Sequence, residues 1–326
     1  MKKFAAFLFI SLCLFTGCSE ESSMNEPIPE QKVAVRFNFT LKQEITPFVK
    51  TRSIPDGIPG EPVANGQTSE ETAPPEKEET KPVNKIQFIE LGVYENNTNQ
   101  LLEHRQYNVT DQQESLKVQY SFTAGTYKVC FIAHSTEGVT FAEESNIMTF
   151  KEIKDTFWGS EEIEIDATQT TQSYTVALNR VVAGIEFVPT DIIPENINQF
   201  SIETSGIYNR INLLDGSISK ETTPFSINTV FKAEDKQPGK YIKHFFYTFV
   251  PDPEAEASTA IIPNMILTSQ TSEGDIQRQR KINNVPLYKN RITRYTGTLY
   301  TPSIVDGDFE LVINSEWGEY HDETLD

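Results

Sequence analysis

Positive charge is scarce in this chain: its 326 residues include 28 Lys and Arg against 47 Asp and Glu, which gives a formal net charge of −19. Such an acidic chain is repelled by phosphate backbones, so we expect no nucleic-acid partner. Long apolar runs are scarce as well, because after residue 17 no stretch reaches the roughly 20 apolar residues that span a bilayer. A later membrane-spanning helix is therefore not expected.

Recognisable catalytic and metal-binding motifs are absent. The four histidines are scattered without metal-ligand spacing, and there is neither a glycine-rich phosphate loop nor a Gly-x-Ser-x-Gly turn. The stretch SISK at 217–220 matches the Ser-x-x-Lys of penicillin-binding enzymes, but the Lys-Thr-Gly element that completes such a site is missing. The carboxylates of DGDFE at 306–310 lack the ligand spacing of a calcium loop. The sequence therefore predicts a protein that is not an enzyme and that holds no metal and no cofactor.

An apolar segment at the N-terminus has the features of a secretion signal. Two lysines at 2–3 precede a run of about a dozen mostly apolar residues from Phe4 to Phe15, a length typical of a signal peptide and short for a membrane span. Small residues follow at 16–17, and the next residue is Cys18. We therefore predict a signal peptide over residues 1–17.

The end of this segment resembles the lipobox of bacterial lipoproteins, in which apolar and small residues precede a cysteine. One departure is Phe15, at a position where leucine is commoner. The resemblance implies that Cys18 is acylated, becomes the new N-terminus and holds the protein in the outer membrane through its acyl chains. The stretch SEES at 19–22 resembles the acidic tract of Bacteroidota lipoproteins that reach the cell surface, which implies a surface location.

Cysteine is rare, and under this interpretation its three positions exclude an intramolecular disulfide. Cys13 leaves with the signal peptide and Cys18 takes the lipid, so only Cys130 remains. Cys130 lies in the apolar, strand-like stretch TYKVCFIAH. We expect a small buried side chain there and not a nucleophile.

The chain after the signal peptide begins with a tether, a first strand and a long polar loop. Residues 18–32 are rich in Ser, Glu and Pro and predict a flexible tether. The stretch VAVRFNFTL at 33–41 alternates apolar and polar residues with period two, which predicts a half-buried strand. Residues 50–84 are dense in Pro, Gly and Glu and cannot bury enough apolar surface to offset the entropy lost on ordering, so we predict a disordered loop.

Short strand-like runs bounded by Gly, Pro, Asn and Asp recur through the rest of the chain, in two series that meet near residue 179. This pattern predicts an all-β fold of two β-sandwich domains in tandem, the first over 33–179 and the second over 180–326. One exception is SNIMTFKEIKDTFW at 145–158, whose apolar residues recur at helical spacing and predict one short helix.

Several stretches together resemble the Bacteroidota fimbrillins, the subunits of type V pili, and their FimB/Mfa-like anchor and minor proteins. They are IQFIELGVYENNTNQLLEHRQY, FTAGTYKVCFIAH, LNRVVAGIEF, SGIYNRINLLDGS and INNVPLYKNRITRYTGTLYT, and they cover most of residues 86–300. Each is degenerate alone, and their shared order carries the likeness. The resemblance implies two transthyretin-like β-sandwich domains and polymerisation by strand exchange, in which an extended strand of one subunit completes the sheet of the next.

The resemblance also implies a processing role for Arg52, in VKTRSIPDG. In fimbrillins that polymerise, a trypsin-like protease cuts after an arginine behind the first strand, which removes the lipid and that strand together. Arg52 stands at the corresponding place, at the start of the predicted loop. A cut there would release Cys18 and the first strand, whereas an intact Arg52 would suit an anchor or a minor subunit.

The sequence therefore predicts a lipid-anchored fimbrial subunit that anchors or assembles pili at the outer membrane by strand exchange with other fimbrillin subunits. The segment after Gly307, which contains the alternating stretch DFELVIN, is a second candidate for a strand that is supplied or accepted. Two alternatives stay open. A surface glycan-binding lipoprotein should expose two or three aromatic residues on one face, and an adhesive tip pilin of the same family would bind a ligand and lose its lipid.

Overall fold

The structure is a computed structural model that describes residues 31–42, 86–109, 116–251 and 260–301, and the backbone of 310–314. These residues form eighteen strands and one 3₁₀ helix, so the predicted all-β class is confirmed. No helix among them is long and apolar enough to span a bilayer.

The first nine strands all precede residue 181. They are β1 (Val33–Lys42), β2 (Phe88–Glu95), β3 (Leu101–Asn108), β4 (Lys117–Phe122), β5 (Gly125–His134), β6 (Thr140–Ala142), β7 (Ile147–Thr149), β8 (Thr156–Ile165) and β9 (Thr171–Arg180).

The other nine strands follow residue 181. They are β10 (Val182–Pro189), β11 (Ile197–Ile207), β12 (Arg210–Asn212), β13 (Thr223–Val230), β14 (His244–Phe249), β15 (Ile261–Thr271), β16 (Ile276–Pro286), β17 (Ile292–Gly297) and β18 (Glu310–Asn314), with the 3₁₀ helix at Ala233–Lys236 between β13 and β14.

A seven-stranded sheet in the order β3-β2-β5-β8-β9-β1-β4 forms the first half and folds over on itself. The fold lies where β8 meets β9, because these strands pair only at Phe157 with Arg180 and at Trp158 with Asn179. Gly159 permits this close corner, since a Cβ atom there would lie 2.3 Å from the carbonyl oxygen of Ala177. The three strands β4-β1-β9 therefore cover the four strands β3-β2-β5-β8 and enclose the first hydrophobic core between them.

Two four-stranded sheets form the second half, in the orders β14-β10-β17-β18 and β13-β11-β15-β16. The stacked rings of Phe187 and Tyr295, whose centroids lie 5.3 Å apart, join the parallel strands β10 and β17 on the core side. Phe200 of β11 is buried in the same core. The second core therefore lies between two sheets, as in a β-sandwich.

The two halves are tied together by a small sheet and by side chains. Strands β6 and β7 of the first half pair with β12 of the second in the order β12-β7-β6. The second core also takes buried residues that precede residue 179, among them Cys130 and Phe150. The described residues from Lys32 onward belong to one compact unit. The domain boundary near residue 179 stays a prediction.

The short helix predicted over 145–158 is wrong. This stretch contains β7 and the start of β8, and Met148 and Phe150 are buried while their neighbours Ile147 and Thr149 are half-buried. Pairing of β7 with both β6 and β12 satisfies its backbone groups, so period-two burial prevails over the helical spacing of the apolar residues. The one helix among the described residues is the 3₁₀ turn at Ala233–Lys236.

Candidate assembly interface

Strand β1 lies inside the seven-stranded sheet and is paired along both sides. It runs antiparallel to β4 from Val33 to Asn38 and parallel to β9 from Ala34 to Lys42. The stretch VAVRFNFTL is thus the strand that its period-two pattern predicts. Its backbone groups are satisfied by two ladders that come from distant parts of the chain.

The side chains of β1 alternate between the first core and the outer surface. Four apolar side chains are buried, namely Val33, Val35, Phe37 and Phe39. Arg36 and Thr40 point to the outer face and are exposed. The alternation gives β1 one fully apolar face, which is what a strand needs in order to fill a groove between two sheets.

Aromatic contacts fix β1 against its neighbour β4 and against β5 in the facing layer. The ring of Phe37 lies 5.0 Å from that of Phe131 on β5 and 6.1 Å from that of Phe122 on β4, measured between centroids. Phe39 meets the same Phe131 ring at 4.8 Å in an edge-on arrangement. Phe131 is fully buried between these rings. Loss of β1 would therefore uncover the middle of the first core.

The neighbours of β1 depend on it for their place in the sheet. Among the described strands, β4 pairs with β1 alone. Strand β9 has a second neighbour in β8, but they share only the two residue pairs at the corner. Removal of β1 would leave a groove with a free backbone edge on each side and an apolar floor that includes Phe131 and Leu178.

The outer face of β1 is polar. A depression of about 410 Å³ lies over it and is lined by Ala34, Arg36, Gln119, Gln172 and Tyr174, among others. The amide nitrogen of Asn38 on the same strand donates a hydrogen bond to the Ser173 hydroxyl at 3.0 Å. The polar lining and open shape suit a solvated surface more than an apolar ligand pocket.

The two predicted site residues lie outside the described residues. Cys18 stands fifteen positions before Val33 in the sequence, and Arg52 stands ten positions after Lys42. The predicted loop at 50–84 and most of the predicted tether lie outside the described residues as well. The predictions for Cys18 and Arg52 therefore stay predictions, and what the structure adds is the strand between them.

The second candidate for exchange, the segment after Gly307, contains β18. Its backbone pairs antiparallel with β17, from Ile292 opposite Asn314 to Thr296 opposite Glu310. Among the described strands, β18 has β17 as its one neighbour, so it lies at the edge of its sheet. The other residues of this segment, including Trp317, lie outside the described part of the chain.

The first half contains a buried polar cluster that was not predicted from the sequence. The Glu90 carboxylate of β2 accepts hydrogen bonds from His104 Nε2 at 2.9 Å and from Gln106 Nε2 at 2.7 Å. His134 Nδ1 accepts the backbone N–H of Thr136, which places the ring proton on Nε2, 3.3 Å from Glu90. The three residues Glu90, His104 and His134 come from three different strands, so no sequence spacing reveals them.

The cluster is built to keep a buried carboxylate charged. Burial alone would raise the pKa of Glu90, but the hydrogen bonds from His104, His134 and Gln106 outweigh it and hold that pKa at about 2. No Ser, Cys or Thr hydroxyl or thiol bonds to either histidine ring, and no group of metal-ligating residues is present among the described residues. The arrangement joins strands β2, β3 and β5 and carries no nucleophile.

The prediction of a small buried side chain at Cys130 is confirmed. Cys130 is buried in β5, its thiol donates to the carbonyl oxygen of Leu214 at 3.1 Å, and burial raises the pKa of the thiol to about 12. Trp158 donates its indole N–H to the carbonyl oxygen of Leu213 at 2.9 Å and packs on Gly216. Of the large apolar side chains that are exposed in the described part of the chain, Tyr241 is the one aromatic.

Comparisons with known proteins give a family and several distant likenesses. The model of a family of unknown function, DUF6562, matches residues 27–324. No curated protein matches the chain. The fimbrial anchor protein Mfa2 of Porphyromonas gingivalis is similar at 10% identity and a TM-score of 0.42, over 81% of this chain and 90% of that one.

A fimbrial assembly protein of Parabacteroides distasonis is similar at 11% identity and a TM-score of 0.44, over 86% of this chain and 94% of that one. Both TM-scores lie below 0.5, so these likenesses carry no conclusion about function.

Proposed function

The chain belongs to the DUF6562 family, and we propose that it is a non-enzymatic, lipid-anchored fimbrial subunit that anchors or assembles pili at the outer membrane through strand exchange with other pilins. The observation that carries the proposal is the position of β1. This strand follows the predicted anchor residue Cys18 after a short tether, and it fills an apolar groove between β4 and β9. The attachment to the membrane and the integrity of the first core thus depend on one segment.

The energetics of β1 suit a strand that is held firmly yet can be replaced by a similar one. Burial of four apolar side chains, Val33, Val35, Phe37 and Phe39, contributes roughly 1.5–3 kcal/mol each, or about 6–12 kcal/mol in all. A foreign strand would recover this free energy if it offered the same alternation of apolar side chains. The partner expected in this groove is therefore an extended segment of another subunit with period-two hydrophobicity.

Arg52 decides between two forms of the protein in this proposal. With Arg52 intact, acylated Cys18 and β1 stay covalently linked to the rest of the chain, and the protein acts as an anchor or minor subunit. A cut after Arg52 separates a piece that carries both the lipid and β1. The groove then accepts the strand of the next subunit, and the segment after Gly307 is the candidate for the strand that is supplied.

The mature N-terminus on cells tests the anchoring half of the proposal. We expect mass spectrometry of the surface protein to find acylated Cys18, and the Cys18→Ala variant to leave the membrane fraction. A mature chain that starts at Ser53 would show that the protein is cut after Arg52. The Arg52→Ala variant should then abolish this cleavage. An unacylated chain that starts at any other residue would overturn both forms.

Co-purification with pilins tests the strand-exchange half. We expect a chain truncated after Gly307 to lose its pilin partners while the first half keeps its fold, as judged by circular dichroism. The matched control replaces the exposed β1 residues Arg36 and Thr40 with alanine and should keep the partners. Unchanged pilin binding by the truncated chain would sink the role of the C-terminal segment.

A further inference from the structure

Two neighbouring depressions lie on the outer face of the first half. The first, of about 410 Å³, lies over β1, and the second, of about 420 Å³, lies where β4 meets β3. Strands β3 and β4 are the two ends of the seven-stranded sheet, and they meet because that sheet folds over on itself. Gln119 of β4 lines both depressions, so together they form one trough that crosses β9, β1 and β4 and ends at β3.

The strand registers explain the shape of the trough over β1. Ala34 lies between Thr171 of β9 and Ser121 of β4, so small side chains form one row across the outer face. The next row places Arg36 beside Gln119, and these longer side chains rise next to the row of small ones. Both rows face away from the first core. A ligand could therefore occupy the trough without disturbing the packing beneath β1.

A network of side chains fixes the part of the trough at β3. Arg105 on β3 donates to one oxygen of the Glu103 carboxylate at 2.5 Å, and the Tyr120 hydroxyl on β4 donates to the other oxygen. The Arg105 guanidinium also lies over the Tyr120 ring, 5.2 Å from its centroid. The hydrogen bond from Tyr120 lowers the pKa of Glu103, so the carboxylate stays charged. These contacts hold the polar groups in place before a ligand arrives.

Charge in the trough is the reverse of charge in the chain. The lining contains the cations Lys32, Arg36 and Arg105 and a single carboxylate, that of Glu103, whereas the chain has 47 acidic residues and 28 basic ones. Arg105 pairs with Glu103, but the side chains of Lys32 and Arg36 have no hydrogen bond or ion pair with any described residue. Charges farther than about 8 Å are largely screened at physiological ionic strength, so the lining dominates the potential that a ligand meets.

One further carboxylate, that of Asp166, stands beside the trough next to Gln169. Its two oxygens accept the N–H of Thr168 at 2.8 Å and the hydroxyl of Thr168 at 2.7 Å, and the Gln169 amide approaches at 3.5 Å. Asp166 is thus engaged within its own turn. It leaves the two unpaired cations of the lining without a carboxylate.

The chemistry of the lining selects an acidic glycan as the occupant. The planar guanidinium of Arg36 matches the two oxygens of a carboxylate, and the surrounding amides and hydroxyls can donate to and accept from sugar hydroxyl groups. Tyr120 and Tyr174 are half-buried and line one depression each, so each offers part of an aromatic ring to the C–H groups of a sugar. An open, polar trough of this kind suits a chain of sugars more than a compact apolar molecule.

An acidic peptide would find less to bind. Strand β1 is paired on both sides, so the floor of the first depression offers no backbone edge for a further strand. The residues that line the trough are almost all polar and form no apolar pocket for the side chains of an extended segment. The two usual ways of holding a peptide on a sheet are therefore missing here.

We propose that the trough binds a glycan that carries sugar carboxylates, with Arg36 paired to a carboxylate and Gln119 bonded to sugar hydroxyl groups at the junction of the two depressions. Neighbouring strands lie about 4.8 Å apart, so the four strands extend the trough over roughly 14 Å, which exceeds one sugar ring. The site uses the outer face of β1, whereas the proposed strand exchange uses the inner face. The inference is therefore independent of the proposed pilus function.

Affinity electrophoresis of the purified full-length chain in mild detergent tests the ligand class. In native gels that contain soluble polygalacturonate or alginate, we expect retardation that grows with polymer concentration, relative to a reference protein that binds no glycan. Dextran serves as the uncharged glycan and poly-glutamate as the acidic polypeptide, and both should retard the chain less. Absence of retardation by both uronate polymers, or equal retardation by dextran or by poly-glutamate, overturns the proposal.

A matched pair of variants tests the place of binding. Arg36→Ala and Lys117→Ala each remove one exposed positive charge from the same outer face, but Lys117 lines neither depression. We expect Arg36→Ala to weaken the apparent affinity for polygalacturonate at least about tenfold, and Lys117→Ala to weaken it less than about threefold. Equal losses would indicate diffuse attraction of charge and overturn the trough as the site. Pilin binding by Arg36→Ala should stay unchanged, which separates this inference from the pilus function.

Discussion

The two halves of the chain share a strand arrangement but differ in how their parallel strand is attached. In each half the first strand runs parallel to a later one, β1 beside β9 and β10 beside β17. Strand β10 connects to its neighbours in sequence within a few residues on each side, through 181 and through 190–196. Strand β1 connects to β2 only through residues 43–87 and carries the predicted anchor at its other end.

This difference is the physical reason why the proposed strand exchange is assigned to the first half. If the chain were cut between β1 and β2, β1 would be held by noncovalent contacts alone, and the rest of the first half would keep its connectivity. Strand β10 lies between β14 and β17 inside its sheet, and its side chains belong to the second core. A cut in the short connections beside β10 would therefore break the chain next to a central strand of the second half.

Truncation of the central aromatic of each parallel strand should cost the most. We expect Phe37→Ala and Phe187→Ala each to lower the free energy of unfolding by about 3–5 kcal/mol, because both side chains are fully buried. Urea denaturation measures the loss. Hydrogen exchange should then distinguish them, with fast exchange of β4 (Lys117–Phe122) in the Phe37 variant and slow exchange there in the Phe187 variant. Equal protection of β4 in both variants would contradict the dependence of β4 on β1.

The ion pair at the junction of the halves should come next. Arg180 donates to Asp155 through Nε at 2.6 Å and through a terminal nitrogen at 2.9 Å, and another of its nitrogens donates to Asn290 at 2.8 Å. We expect Asp155→Ala to cost about 3–5 kcal/mol, since it leaves a buried guanidinium without its carboxylate. Calorimetry should then resolve two transitions in place of one. A single transition at the original temperature would show that the halves do not depend on this contact.

The halves should lose stability in different pH windows. The folded pKa of Glu90 in the first half is about 2, below its ordinary 4.5, so its contribution is complete above pH 4.5 and is lost as pH falls toward 2. Burial lowers the pKa of His244 in the second half from 6.5 to about 4, so its contribution is lost between pH 6.5 and 4. Each change amounts to about 3 kcal/mol.

Urea titrations at stepped pH values measure these windows. We expect His244→Gln to flatten the stability profile between pH 6.5 and 4, and Glu90→Gln to flatten it below pH 4.5. The two variants serve as controls for one another. A Glu90→Gln profile that still falls as steeply as that of the unmodified chain below pH 4.5 would show that other carboxylates carry the acid response.

Substitutions on the outer face of β1 should have the smallest effect. Arg36 and Thr40 are exposed, so we expect alanine at either position to change the free energy of unfolding by less than about 0.5 kcal/mol. Denaturation beside the Phe37→Ala variant checks the contrast along one strand. A loss of several kcal/mol at Arg36 would mean that the outer face of β1 is covered by another part of the protein.

Period-two patterns predicted the fold wherever burial on one face was the dominant constraint. The stretch VAVRFNFTL is the clearest case, because four apolar residues on one face leave little choice of register. The helix prediction for 145–158 was wrong because it rested on the apolar spacing alone. The backbone of β7, within this stretch, pairs with β6 and β12. Strand partners that arrive from elsewhere in the chain cannot be read from a local pattern.

The side-chain clusters were less predictable than the strands. Glu90, His104 and His134 meet only because the registers of β2, β3 and β5 bring them together. Arg180 and Asp155 are twenty-five positions apart, and only the corner between β8 and β9 makes them neighbours. Cys18 and Arg52 were identified from local motifs, and the structure supplies the strand between them without describing either residue.

The parallel pairing of β1 with β9 joins the first strand to be synthesised with one that is synthesised much later. Asn38 on β1 bonds to Ser173 on β9, a separation of 135 residues. At ~5–20 residues per second, β9 is made about 7–27 seconds after β1. The first strand to be made therefore waits longest for its β9 neighbour, and during that interval the side of β1 that pairs with β9 is open to whatever secretion factor or subunit meets it first.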